Sequence, residues 1–267
     1  MIPKIIHYCW FGNQPMPEEQ QKNITEWSVL MPDYRIMCWN ENNMDLKITP
    51  FISQAYESGK FAFVADYTRL FALKTFGGIY MDTDVKVNRP FDDYLNYSVF
   101  TSYEFHPSYN EYKIMLSLLD DQGNRKDKGS VKKIPGAGLM SAIIAAKKDS
   151  RFINDCLKIY NNISYAELRE RNYTIPSTLA ITAEKYGFRY KNEFQLLDDN
   201  IAIFPTNVFA DYRTADKSSI AVHLVADSWG KDKSTFENLK AYLYRKYWVR
   251  TIYMSIRNLF EKHPLKY

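Results

Sequence analysis

Along the first ninety residues the period of the apolar positions changes several times, and each change marks an element. Lys4 to Cys9 is a short, mainly apolar stretch that predicts a first strand. Pro15 and Pro17 open a helix through about Leu30, with Glu18 and Glu19 in the first turn, where the helix dipole favours acids. After a turn at Pro32-Asp33, Tyr34, Ile36 and Cys38 alternate with Arg35, Met37 and Trp39, the period of a second strand. Strand, helix, strand in this order predicts a βαβ unit with a parallel pair. Thr49-Pro50 opens a helix that Gly59 closes. Leu70, Phe71, Leu73 and Phe76 then recur at spacings of one face of a helix. Gly77-Gly78 stops it, since glycine enters left-handed conformations without steric cost. Ile79-Tyr80-Met81 is wholly apolar, as suits a central strand covered on both faces.

Past Val87 the pattern predicts a strand at Tyr97 to Tyr103, helices from Ser150 to Tyr160 and from Pro176 to Tyr186, and short strands at Ile201 to Phe204 and Ile220 to Leu224. Asp120 to Lys133, rich in Gly, Lys and Asp, predicts a mobile surface excursion. In the tail, Leu239, Tyr242, Leu243, Val249, Ile252, Tyr253, Ile256 and Leu259 fall at helical spacing. Residues 231–267 carry nine Lys or Arg against three acids, so a basic amphipathic helix is expected there, suited to a membrane surface or to packing on protein. The expected fold class is α/β, a mainly parallel central sheet flanked by helices. The expected division is a catalytic domain over 1–230 and a helical extension over 231–267.

Composition narrows the partners. A net charge of +4 is too small to indicate nucleic acid. Aromatic residues make up 16% of the chain, with 21 Tyr, which suits a site that stacks on rings and bonds hydroxyls. Cys9, Cys38 and Cys156 have no zinc spacing and leave one thiol over in any disulfide scheme, so reduced thiols are expected. Met1 leads directly into a strand, and no apolar run has the length of a membrane span, which predicts a cytoplasmic location, either free or peripheral on the inner face of the membrane.

Candidate chemistry gathers at three places. Asp82 and Asp84 follow a buried strand, and side chains two apart on extended backbone face the same way. Hard oxygen ligands so placed suit Mn²⁺ or Mg²⁺ with a substrate diphosphate completing the shell; an Asp-X-Asp in a turn is also compatible with plain solvation. Asp66 and Arg69 share one helical face among apolar neighbours, and a buried Asp and Arg need partners such as ribose hydroxyls and phosphates. His223 ends a strand-like run, where histidine serves either structure or a metal. Trp10, after the first strand, suits either the core or a stacking face.

Three blocks, Ile5-Ile6-His7-Tyr8-Cys9-Trp10-Phe11-Gly12, Phe63-Val64-Ala65-Asp66-Tyr67-Thr68-Arg69-Leu70 and Gly77-Gly78-Ile79-Tyr80-Met81-Asp82-Thr83-Asp84, in this order and spacing, resemble glycosyltransferase family 32. That family includes bacterial capsular and surface polysaccharide transferases and fungal mannosyltransferases, and is similar in core to the glucosylating clostridial toxins. The resemblance implies a GT-A fold and retaining transfer from a nucleotide sugar, a UDP-sugar, aided by Mn²⁺ or Mg²⁺, to a saccharide or lipid-linked acceptor. It also implies roles. Trp10 would stack on the base, Asp66 and Arg69 would hold ribose and donor sugar, and Tyr80 would lie near the ribose, with His7 in the same donor-binding set. Asp82 would touch ribose or a metal-bound water and Asp84 the metal itself. By the family pattern, the segment His223 to Trp229 would fold back over Asp84, with His223 or Asp227 completing the metal shell and Trp229 covering the diphosphate. Asp66, Arg69, Asp82 and Asp84 form the expected catalytic set, and no residue stands out as a general base. Two rival readings remain: a metal-dependent nucleotidyl or phosphoryl transferase, and a non-catalytic, membrane-associated sugar-binding module.

Overall fold

The computed structural model describes residues 1–225, apart from 129 and 131. Asp227, Trp229 and the 231–267 extension, on which several expectations rest, lie outside the described residues.

The chain begins as its periodicity predicts. β1 (Ile5–Cys9), α1 (Glu18–Leu30) and β2 (Arg35–Trp39) form the βαβ unit, with β1 and β2 parallel and in register from Ile5 opposite Arg35 to Cys9 opposite Trp39. α2 (Pro50–Glu57) is capped by the Thr49 side chain, which accepts from the backbone of Ile52. α3 (Phe61–Phe76) ends at Gly77, and β3 (Gly78–Met81) runs parallel to β1. A side chain on Gly78 would meet the carbonyl oxygen of Ile5 at 2.5 Å, so this junction admits only glycine.

The rest of the sheet departs from the mainly parallel expectation. β4 (Val85–Val87) leaves it, and β5 (Val99–Phe105), α4 (Tyr109–Leu118) and β6 (Ala137–Leu139) follow. β7 (Ile143–Ala146) then enters between β3 and β5, antiparallel to both. β6 and β7 both run antiparallel to β5, β6 along its end and β7 along its start, so β7 continues the direction of β6 across three irregular residues. After α5 (Arg151–Asn161), α6 (Tyr165–Glu170) and α7 (Ile175–Ala183), β8 (Gln195–Leu197) pairs antiparallel with β9 (Ile201–Phe204), which is parallel to β5. The resulting sheet has the order β2-β1-β3-β7-β5-β9-β8, with β6 attached to β5. It is mixed, but it is the α/β sheet expected. β10 (Phe209–Asp211) and β11 (Ala221–His223) build a second small sheet with β4, in the order β10-β11-β4.

Strand alternation divides the core in two. Tyr80 and Ile144 face one apolar cluster with residues of α2, α3, α5 and α7, while Ile79, Met81 and Phe100 face another with Trp27 of α1 and Met31 just past its end. The main sheet is thus covered on both faces. The expected surface excursion is pinned at its start: Arg125 is buried and ion-paired with Glu184, and Tyr190 donates its backbone N–H to Gly123. The three cysteines are free, and among the described residues no helix is long and apolar enough to cross a membrane.

Candidate active site

Asp82-Thr83-Asp84 occupies a turn between β3 and β4, closed by the backbone N–H of Val85 donating to Asp82. This corrects the extended-strand argument: the two carboxylates converge because the chain bends. α1 holds the bend from behind. Asn23 donates to the carbonyl of Thr83 at 3.0 Å and Trp27 to that of Val85 at 2.9 Å, both from buried positions. On the other side the Asp82 backbone N–H donates to Ala142, in the turn between β6 and β7.

Asp84 is nearly buried, and β11 brings His223 to it. β11 pairs antiparallel with β4, His223 opposite Val85, and the Leu224 N–H donates to the Asp84 carbonyl. Nε2 of His223 lies 3.3 Å from an Asp84 oxygen and 3.9 Å from one of Asp82, and ligand atoms of all three residues fall within 4.8 Å of one another. Burial would lower the basicity of His223, but its hydrogen bond to Asp84, then the charges of Asp84, Asp82 and Glu104, push its pKa up to about 9. A divalent cation answers the same need as that proton. Two carboxylates and an imidazole suit Mn²⁺, and they suit Mg²⁺ where carboxylates and phosphate oxygens dominate the shell.

Arg69 joins this turn to α3. Its guanidinium donates to Asp66 at 2.9 Å and to the Ser141 carbonyl at 2.7 Å, lies 3.6 Å from Asp82, and stacks over the Tyr80 ring at 4.5 Å. Tyr80 donates its hydroxyl to Asp82 at 2.8 Å. Burial disfavours the Arg69 charge, yet Tyr80, Asp82 and Asp66 outweigh it and keep the group cationic. The Asp66 carboxyl is pushed up to about 7 by burial, against the pull of Arg69 and with a further push from Asp82. Asp66, Arg69, Tyr80, Asp82, Asp84 and His223 therefore come together. Trp10 sits half-buried just past the carboxyl end of β1, its ring N–H donating to the Gln14 carbonyl.

His7 does not join them. It is fully buried, Nε2 bonds the Gly77 carbonyl at 2.8 Å, and Nδ1 accepts from Trp39 at 3.1 Å. With both ring nitrogens committed, and its pKa lowered to about 4 chiefly by burial, it cannot reach a donor. Its work is to tie β1 and β2 to the Gly77-Gly78 junction.

Four further ionisable residues border the same end. Glu104, next to last in β5, is half-buried. Asp211 is buried and contacts His106, while Arg213 donates to it through Nε at 3.0 Å and Nη2 at 2.6 Å. Asp211 stands opposite His223 in the β10–β11 register. The Glu104 carboxyl is raised by burial and by Asp211, and the charges of His106, His223 and Arg213 oppose that. Sequence reasoning missed these residues because no short motif joins them. One signal was available: Glu104 interrupts the otherwise uncharged run Val99 to Phe105.

Comparisons with known proteins bear on the class of this site. Residues 17–101 match the glycosyltransferase sugar-binding region containing DXD motif. The matched stretch, about a third of the chain, holds Asp66, Arg69, Tyr80, Asp82 and Asp84. Inositol phosphoceramide mannosyltransferase 3 of Schizosaccharomyces pombe is 38% identical over 103 residues, covering 36% of this chain and 28% of that protein. Glucan organizing enzyme 1 of Cryptococcus neoformans is 30% identical over 145 residues, covering 54% of this chain and 32% of that protein. The matches thus span less than a third of the length of these two curated relatives. Among solved structures, the chain is similar to the PaToxG glycosyltransferase, with a TM-score of 0.48 and 17% identity over 69% of each chain.

Proposed function

We propose that this chain is a metal-dependent glycosyltransferase of GT-A type that transfers a sugar, with retention, from a UDP-sugar to a saccharide acceptor borne on a lipid. The observation that carries the reading is the convergence of Asp82, Asp84 and His223 beside the Arg69–Asp66 pair, within and next to the DXD-matching stretch. Asp84, His223 and Asp82 would hold Mn²⁺ or Mg²⁺. A cation bound there neutralises the charge that develops on a departing diphosphate.

The protein's own groups do the rest. Arg69 is fixed by three partners and presents its remaining donors to the donor's ribose and sugar hydroxyls, while Asp66 and Asp82 accept from them. Trp10 offers a face for the base. In transfer, the bond between the donor sugar's C1 and the β-phosphate oxygen breaks and its electron pair leaves with the nucleoside diphosphate. The acceptor oxygen bonds to C1, and the acceptor's hydroxyl proton passes to the departing diphosphate.

A lipid-borne acceptor draws support from the name of the fission-yeast relative, which acts on inositol phosphoceramide, and a basic tail at 231–267 suits the inner face of a membrane. A surface polysaccharide intermediate is the acceptor we propose for a bacterial member, and mannose joins glucose and galactose in the donor panel to be tested. Turnover of nucleotide sugars with and without Mn²⁺ tests the reading. Asp84→Ala and His223→Ala are expected each to lower metal-dependent release of nucleoside diphosphate by about a hundredfold, roughly 2.7 kcal/mol of transition-state stabilisation. Unchanged release in both variants would sink the assignment. Pyrophosphate as product would instead indicate nucleotidyl transfer, and binding without turnover a sugar-binding module.

A further inference from the structure

Among the described residues, those bordering the triad include one hydrogen-bond acceptor and one donor without a partner. Glu104, next to last in β5, stands opposite Gly138 of β6, so no side chain stands across from it in that pair. Among the described residues its carboxylate accepts no hydrogen bond, although four ionisable neighbours, His106, Asp211, His223 and Arg213, bear on it. Arg213 is the opposite case. Its Nε and Nη2 are committed to Asp211, which His106 also contacts, so the side chain is fixed by a buried anchor while about two-fifths of it remains exposed. The anchor cannot drift, because the backbone N–H of Arg213 also donates to Asp211 and the Asp211 strand is in register with His223.

We propose that Glu104 and Arg213 form the subsite for the acceptor, taking a pair of neighbouring hydroxyls on a neutral saccharide; this rests on the glycosyltransferase reading above. Glu104 accepts the hydrogen of one hydroxyl, and Nη1 of Arg213, which has no hydrogen-bond partner among the described residues, donates to the oxygen of the next. Charge decides the class of ligand. Asp82, Asp84, Glu104 and Asp211 crowd this end, and the guanidinium of Arg213 is already balanced by Asp211. A phosphate or carboxylate on the acceptor at this point would be repelled by Glu104, whereas a hydroxyl finds both an acceptor and a donor. Asp211 and His106 are positioning residues: they act on the acceptor through Arg213.

The test uses the full chain with Mn²⁺. UDP and GDP affinities are measured by titration. Nucleoside diphosphate release from the sugar nucleotide that the wild type cleaves is followed with water alone and with methyl glycosides of mannose, glucose and galactose as acceptor probes. Glu104→Gln, nearly isosteric, is expected to keep nucleotide affinity within about twofold. It is expected to weaken glycoside-stimulated release at least about tenfold through KM for the glycoside, the loss of a hydrogen bond to a charged group. Glu104→Asp should recover part of that loss, which a variant that merely misfolds would not do. The proposal is overturned by stimulated release equal to wild type in Glu104→Gln, by nucleotide affinity falling in step with it, or by a wild type that binds nucleotide yet responds to no methyl glycoside. A wild type that binds neither nucleotide overturns the parent reading instead.

Discussion

Arg69 and Arg125 are equally buried, each with a side chain about 5% exposed, and each meets a carboxylate, yet the two pairs are built differently. Arg125 is closed. Its Nε donates to both oxygens of Glu184, at 3.1 and 2.9 Å, and its Nη2 to one at 2.8 Å, while the Tyr190 hydroxyl donates to the same carboxylate at 2.6 Å. Asp66, by contrast, accepts one described hydrogen bond, and Arg69 spreads its donors over Asp66, Ser141 and the backbone of Ala65. A saturated pair holds chain segments together, here the start of the 120–133 loop and the end of α7. A pair left with spare acceptors at the edge of a crevice carries the desolvation cost of buried charge without full return, and a ligand's hydroxyls can supply the remainder.

The sharpest way to break that comparison is to cut the closed pair. Glu184→Ala should cost about 3–5 kcal/mol of stability in urea unfolding, because Arg125 is left buried without its counterion, while nucleotide affinity of the folded fraction stays unchanged. A loss of affinity without a loss of stability would reverse the roles assigned to the two pairs.

Asp66 sharpens the comparison through pH. Its carboxyl is raised from an ordinary 3.8 to about 7, so between those values the folded chain keeps a proton that the unfolded chain has released. The stability tied to that proton is fully present below about pH 4 and is lost as pH rises through 7. Asp66→Asn cannot ionise. Its unfolding free energy should therefore decline less than the wild type's between about pH 5 and pH 8, by on the order of 2 kcal/mol, at roughly 1.4 kcal/mol per pKa unit. Equal declines in the two proteins would mean that Asp66 ionises as it would in water. The same variant should bind nucleotide sugar more weakly, so stability and binding move in opposite directions at this residue.

The smallest effect is expected behind the turn. Trp27→Phe keeps the ring in the core but removes the donor to the Val85 carbonyl, at a cost of about 1–2 kcal/mol. Mn²⁺ affinity, followed by titration, should weaken a few-fold as the Asp84 turn loosens. Unaltered Mn²⁺ affinity would show that Asn23 and the Ala142 contact hold the bend without Trp27.

Much of this was written locally. The stop at Gly77-Gly78, the parallel β1–β2 pair and the facing of Asp66 and Arg69 three residues apart depend on backbone geometry within a few residues, and the periods of the sequence report such geometry directly. The nearness of Asp82 and Asp84 was legible too, though the bend that causes it was not. What only the tertiary structure decided is the choice of neighbours. His7 lies in a strand whose pattern cannot say which ring or carbonyl it meets, and packing against Trp39 and Gly77 buried it. β7 enters antiparallel because it continues β6, which returns along β5 in the opposite direction, and Glu104, His106, Asp211 and Arg213 meet because β5 and β10, about a hundred residues apart, converge on one end. Periodicity tells which face of an element is apolar; which element covers that face is settled by pairing and packing across the whole chain.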